Sequence, residues 1–378
     1  MMRKEDEKYR NYLQILQEEL IPAMGCTEPI AIAYAGAVAR KILGALPERV
    51  EVAVSRNIIK NVKSVVVPHT GGLRGIEAAA AAGIVAGDAA KELEVISHVE
   101  QEDIEAMGTF LKEVPCSVCE ASSDLIFDIQ ITLYHGEDNA SVRITDFHTN
   151  LVHVSRNGEI LLAKEITGKE ESALADKSTL TIEKIFAFAK EVDLADVREV
   201  LERQVRYNMA IAEEGLRGNY GANIGKVLLA TYGDQDVKVR AKAMAAAGSD
   251  ARMNGCELPV VINSGSGNQG ITASVSVIVY ATELGVDEDT MYRAMALSDL
   301  TTIHQKTPIG RLSAYCGAVS AGAGSGAGIA YLSGASYDEV VHTVINAVAI
   351  ISGMVCDGAK ASCAAKIAEA VDAGIIGY

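Results

Sequence analysis

The sequence predicts an α+β N-terminal domain followed by an all-α C-terminal domain. Three observations predict it. Alternating β-branched residues between turn signals are confined to about residues 49–162, helix-length apolar segments fill nearly everything after about residue 180, and the polar stretch "AKEITGKEESALADKS" separates the two patterns. The domains read as 1–165 and 178–378, with helices expected in the first 45 residues.

Element by element, residues of about 6–44 read as two helices parted by "IPAMGCTEP", where Pro22, Gly25 and Pro29 interrupt the helical period and the break carries Cys26. By pattern alone this helix pair (1–45) fits against either domain. Six runs then read as strands: "RVEVAVS", "VKSVVVP", "EVISHVE", "DLIFDIQITLYH", "ASVRITDFHTN" and "LVHVSRNGEIL". An Ala-rich helix in "GGLRGIEAAAAAGIVAGDAAKEL" and a second in "QEDIEAMGTFLKEV" interrupt them. Beyond the polar stretch, segments such as "DVREVLERQVRYNMAIAEEGL" and "YDEVVHTVINAVAIISGMVC" are helical by length and period. No fixed-period repeat is evident.

Composition bounds the function. The 378 residues are 49% hydrophobic and 22% charged, enough to bury a sizeable core. Fifty acidic against 34 basic side chains leave a net charge of −16, which repels phosphate backbones and anionic lipid and argues against nucleic-acid or membrane partners. The N-terminus mixes both charge signs and lacks the apolar core of a signal peptide, so a cytoplasmic location is expected. The uncharged runs Leu258–Thr282 and Leu312–Tyr337 are long enough to span a bilayer, yet their Gly and Ser clusters would leave backbone groups without partners in lipid; they read as buried helices. With no Trp and 5% aromatics, the core must be Ala, Val, Ile and Leu with close backbone approach, and the Ala/Gly-rich helices leave a homodimer open. Seven cysteines, an odd number in a reducing compartment, argue for free thiols or metal ligands rather than disulfides.

Cys316, Cys356 and Cys363 lie in the Gly/Ala/Ser-rich part of the chain, at spacings unlike a zinc ribbon or a small ferredoxin. Spacing alone leaves them as buried small hydrophobes or as ligands. The segments "GCTEP", "SRNIIKNVKSVVVPHTGG", "NSGSGNQGI", "KTPIGRLSAYCGAVSAGAG" and "GMVCDGAKASC" occur in the order found in the L-cysteine desulfidase family. That family is similar, over its helical part, to the alpha chain of the iron–sulfur L-serine dehydratases, and the chain resembles it over almost its whole length.

The resemblance implies a [4Fe-4S] lyase that turns L-cysteine and water into pyruvate, ammonia and hydrogen sulfide without pyridoxal phosphate. It implies Cys316, Cys356 and Cys363 as cluster ligands and Cys26 as the catalytic base. Three thiolates on a four-iron cubane leave one iron without a protein ligand, open to the substrate as a Lewis acid. Loss of the α-proton and of sulfide gives aminoacrylate, which tautomerises and hydrolyses unaided. Small residues around the thiols allow close backbones and N–H groups aimed at sulfur.

Other residues take their weight from this setting. Cys26 sits at a helix break, where orphan N–H groups favour a thiolate; the plain alternative is a structural Cys beside a turn. Glu28 either orients the loop or the substrate ammonium, or caps. "NSGSGNQGI" is a Gly-rich turn entering a helix, which makes Ser264, Ser266, Asn268 and Gln269 candidates for holding a carboxylate. Ser55, Asn57, Lys60 and Asn61 are expected at one strand end, where Lys60 either pairs with the carboxylate or is simply solvated. Cys116 and Cys119 of "CSVC" have no second pair and read as incidental, Cys256 as structural, and His148 and His304 as hydrogen-bonded structural residues. Two other functions stay open: an iron–sulfur L-serine dehydratase, needing the same open iron and base, and a non-catalytic iron–sulfur sensor, which has no need of Cys26.

Overall fold

A computed structural model describes residues 4, 6–166 and 175–378. Two compact units emerge: Met1–Pro22, Ala173–Cys356 and Ala361–Tyr378 form one, Ala23–Ser172 with Asp357–Lys360 the other. The stretch read as a linker falls partly at 167–174, outside the described residues.

The chain opens with α1 (Glu7–Glu19) and a short strand, β1 (Pro22–Met24). Of the two N-terminal helices, α1 belongs to the helical unit and α2 (Thr27–Leu43) to the α+β unit. The apolar face of α1 explains its choice: Tyr9 and Tyr12 each pack on Phe188, with ring centroids 5.5 Å apart.

In the α+β unit, β2 (Arg49–Val54) leads into three helices, α3 (Arg56–Val62), α4 (Gly75–Ala86) and α5 (Gln101–Glu113). Five strands follow: β3 (Cys116–Glu120), β4 (Asp128–His135), β5 (Asp138–Thr145), β6 (Leu151–Arg156) and β7 (Glu159–Ala163). They make one six-stranded sheet in the order β3-β2-β4-β5-β6-β7, with β2 and β3 parallel and the other neighbours antiparallel. Alternation fixes its faces: Val50, Val52, Val54, Ile129, Ile131, Leu133, Ala140, Val142 and Ile144 are buried on the side where α2 packs. Helices α2 and α4 touch backbone to backbone, since a Cβ at Gly83 would collide with the Ala33 carbonyl.

Two expected strands are absent. "VKSVVVP" begins as the end of α3 and continues as a tight loop closed by Val67 N–H to Leu73 O (2.9 Å) and Gly75 N–H to Val65 O (3.3 Å). Its three consecutive valines are all buried, so no period-2 face exists to make a strand. "EVISHVE" forms the end of a 3-10 turn (Ala89–Glu94) and the capping segment of α5, where Glu100 makes a reciprocal capping box with Asp103. The outer strand β3 takes the sheet edge instead.

The second unit is helical: α6 (Ile182–Glu191), α7 (Arg198–Arg217), α8 (Ile224–Tyr232), α9 (Val237–Met253), the short β8 (Pro259–Val261), α10 (Gly267–Leu284), α11 (Glu288–Lys306), α12 (Gly317–Leu332), α13 (Tyr337–Ile350) and α14 (Cys363–Gly377). The uncharged run before Tyr337 becomes α12, which packs against α10, α11, α13 and α14. Only small side chains permit so many neighbours. A Cβ at Gly326 would lie 2.8 Å from the Gly374 carbonyl, and one at Gly322 would collide with that of Ala370. A buried ion triad adds order: Glu19 of α1 takes Lys177 at 2.6 Å and Arg311 at 2.5 Å. Burial pushes the Glu19 carboxyl up, but the two cations outweigh it and hold it below the ordinary glutamate range. Among the described residues, no helix is long and apolar enough to cross a membrane.

Candidate active site

All three expected ligand cysteines belong to the helical unit, where the segments of Cys316 and Cys356 are paired. Cys316 is the N-cap of α12, and Cys363 opens α14. Cys356 arrives on a strand-like segment that runs antiparallel to "SAYC": Tyr315 pairs with Val355, Cys316 N–H donates to Met354 O at 3.1 Å, and Cys356 N–H donates to Ala314 O at 2.7 Å. From the first turns of α14, Lys366 Nζ donates to Val355 O at 3.0 Å, joining the Cys363 helix to the same corner. Burial pushes the Cys316 thiol up; the Ala318 N–H pulls it down, the neighbouring Cys356 raises it, and the Lys366 and Lys306 ammoniums lower it.

The donor chemistry suits an iron–sulfur group: three half-buried thiols, two of them at helix N-termini, the Cys316 sulfur meeting the Ala318 N–H, with a glycine following Cys316. Among the described residues, however, no three Cys, His, Asp or Glu side chains are arranged to hold a metal ion.

The Gly-rich turn reaches this corner. Asn263 and Ser266 exchange backbone hydrogen bonds at 3.1 and 3.0 Å around Ser264 (φ 50°) and Gly265 (φ 79°), a two-residue turn with both central residues left-handed. Ser264 is a residue type that this conformation disfavours, and such local strain collects at functional sites. Ser266 becomes the N-cap of α10, but its side chain makes no capping bond. One turn in, Gln269 lies against Gly317, where a Cβ would sit 2.6 Å from its Cδ. Of the candidates, Ser264, Ser266, Asn268 and Gln269 thus share one turn, and Gln269 touches the residue after Cys316.

A buried polar network that the sequence reading did not single out holds this turn from behind. Asp299 Oδ1 accepts from Asn263 Nδ2 at 2.9 Å and Gln204 Nε2 at 3.0 Å, and Asn263 Oδ1 accepts from the Ser264 hydroxyl at 2.9 Å. Burial raises the Asp299 carboxyl to about 7 against the pull of the two amides. Asp299 sits inside "ALSDLTTIH", where nothing but its burial marks it.

In the α+β unit, Cys26 is a buried N-cap of α2, preceded by Gly25 at φ 55°. Glu28, in the first turn, accepts from Asn61 Nδ2 at 2.8 Å and from the Thr27 hydroxyl at 3.2 Å. Asn57, Lys60 and Asn61 lie on the short helix α3, not at a bare strand end; the spacing i, i+3, i+4 keeps them on one face. Glu28 therefore ties α2 to α3. Gly358 (φ 100°) rests on the Lys60 carbonyl, a contact that only glycine allows.

Cys116 and Cys119 pair with Val50 and Ala53, so they point to opposite faces of the sheet and form no dithiol. Burial, with Glu77 nearby, pushes Cys116 up to about 11. Burial likewise raises the Cys256 thiol, and burial lowers His304. His148 packs edge-on against Phe127 at 4.9 Å.

The helical unit, with its Gly-rich helix entry beside the Cys316 segment, is related to the alpha chain of the iron–sulfur type dehydratases. Residues 90–378 match the serine dehydratase alpha chain family, and the chain belongs to it. Its relatives include UPF0597 proteins of Desulfitobacterium hafniense (59% identical, covering 100% of this chain and 87% of the relative), Lachnoclostridium phytofermentans (52%; 97% and 88%) and Treponema denticola (44%; 100% and 89%).

Proposed function

We propose that the protein is a [4Fe-4S]-dependent lyase that eliminates sulfide from L-cysteine, with Cys316, Cys356 and Cys363 holding the cluster. The observation that carries this reading is the antiparallel pairing that sets Cys316 beside Cys356, with Cys363 opening the helix whose Lys366 grips the same segment. When bound, such a cluster supplies Lewis acidity at the iron that no residue ligates.

The chain's own residues supply the rest. Cys26, the N-cap at the positive end of α2, is the group that accepts the α-proton, with the helix dipole there favouring its thiolate against the burial that opposes it. The turn Ser264–Gln269 orients the amino acid through backbone N–H groups at the start of α10. Glu28 is engaged with Asn61, so it shapes the Cys26 turn from within.

The family match favours a second reading, dehydration of L-serine by the same groups. Anaerobic reconstitution followed by assay of L-cysteine against L-serine separates the two. The lyase reading expects about four irons per chain and equal yields of sulfide and pyruvate from L-cysteine, with Cys26→Ser keeping the iron while losing most turnover. A single tightly held zinc, or pyruvate from L-serine alone, would overturn it.

A further inference from the structure

Arg252, at the end of α9, is 4% exposed, and among the described residues no carboxylate stands within ion-pair distance of it. Its NH1 donates to Asn268 Oδ1 at 3.2 Å, and its Nε is buried without a partner. The guanidinium lies against the first residue of α10: a Cβ at Gly267 would sit 2.8 Å from Cζ and would collide with Nε. A guanidinium cannot shed its proton, so burial without a counter-charge is costly. The location worsens it, since the positive end of an eighteen-residue helix repels a cation. Cation and helix end share one need, an anion.

The same turn carries a second orphan. Gln269 Oε1 is buried and has no donor. A buried donor set with an unused N–H and a buried acceptor, one residue apart from each other's contacts on α10, complement the carboxylate and ammonium of a zwitterion.

We propose that Arg252 and the first turn of α10 form the carboxylate site for a small α-amino acid, with Arg252 as the counter-charge and Gly267 leaving room for its approach. The inference deepens the lyase reading, on which it rests only for the identity of the ligand. Ser266 leaves the N–H groups of this turn free of a side-chain cap, as a carboxylate would require.

The test uses L-alanine, which carries the carboxylate and ammonium but has no β-leaving group, and ethylamine, which lacks the carboxylate. Binding is read by thermal shift and calorimetry on the full chain, before and after anaerobic reconstitution. Wild type should bind L-alanine at least tenfold more tightly than ethylamine; Arg252→Gln should lose that preference, and Arg252→Lys should recover part of it. Equal affinity of wild type for the two compounds would overturn the site, a result that needs no variant to fold. So would an Arg252→Gln protein with wild-type circular dichroism and undiminished L-alanine binding. Protein that binds L-alanine through Arg252 yet releases neither sulfide nor ammonia leaves the site standing and removes the lyase reading.

Discussion

Asp299 shares one carboxylate oxygen between the amides of Asn263 and Gln204 and has no ion-pair cation among the described residues, so burial keeps its proton on up to a pH of about 7. A carboxyl raised in the folded state holds a proton that the unfolded chain has already released. Stability therefore falls as pH rises from the ordinary aspartate range through about 7, and levels off above. Asp250, which burial raises to about 6, acts with the same sign but is largely spent by that pH. Between pH 6 and 8, wild type should lose about 1 kcal/mol that Asp299→Asn does not, as read from paired urea unfolding curves at the two values. Parallel curves for the two proteins would show that the carboxyl is already ionised at pH 6. The variant should also loosen the Ser264 turn, because an amide at 299 adds a buried donor without an acceptor.

Glycine means different things in different helices, and the same substitution should change sign with them. In α12, a Cβ at Gly322 meets the Ala370 carbonyl of α14, which is backbone and has no side-chain rotamer to escape through. Gly322→Ala gains up to about 1 kcal/mol of helix propensity but forces two close-packed helices apart, at a cost of about 1–3 kcal/mol. The expected result is net destabilisation. Gly108 in α5 has open space around the added methyl, so Gly108→Ala should stabilise by about 0.5–1 kcal/mol. Chemical denaturation of both variants checks the pair. Element types were readable where period and length agreed, as in α5 and β4, although "LVHVSRNGEIL", read as one strand, folds as the hairpin of β6 and β7 turned at Asn157 (φ 52°) and Gly158 (φ 83°). They were not readable in "VKSVVVP", where buried valines follow one another without alternation, because tertiary burial there overrides β-propensity. The three thiols were marked as candidates in the sequence by their flanking motifs. Arg252 was not, because a charged residue near a helix end looks like any solvated one until its burial and missing counter-ion are seen.

At the scale of the molecule, the division into two units makes thermal unfolding a test of where a cluster would act. Domains can melt separately, and the expectation here is two transitions, one for each unit. All three candidate ligands belong to the helical unit, at the ends of segments joined by backbone pairs, by Lys366 and by the packing of α12 on α14. A group bound by all three in the folded state alone stabilises that unit by mass action, about 4 kcal/mol when its free concentration is a thousand times the dissociation constant. For a unit of this size, that moves the midpoint by roughly 10 °C. Anaerobic calorimetry of reconstituted and iron-stripped protein should therefore show one transition displaced upward, and Cys316→Ala or Cys363→Ala should abolish most of the displacement. The α+β transition, identified by melting of the sheet signal in infrared spectra, should stay within a few degrees. If reconstitution shifts neither transition while iron remains bound, the metal is held outside the corner formed by Cys316, Cys356 and Cys363.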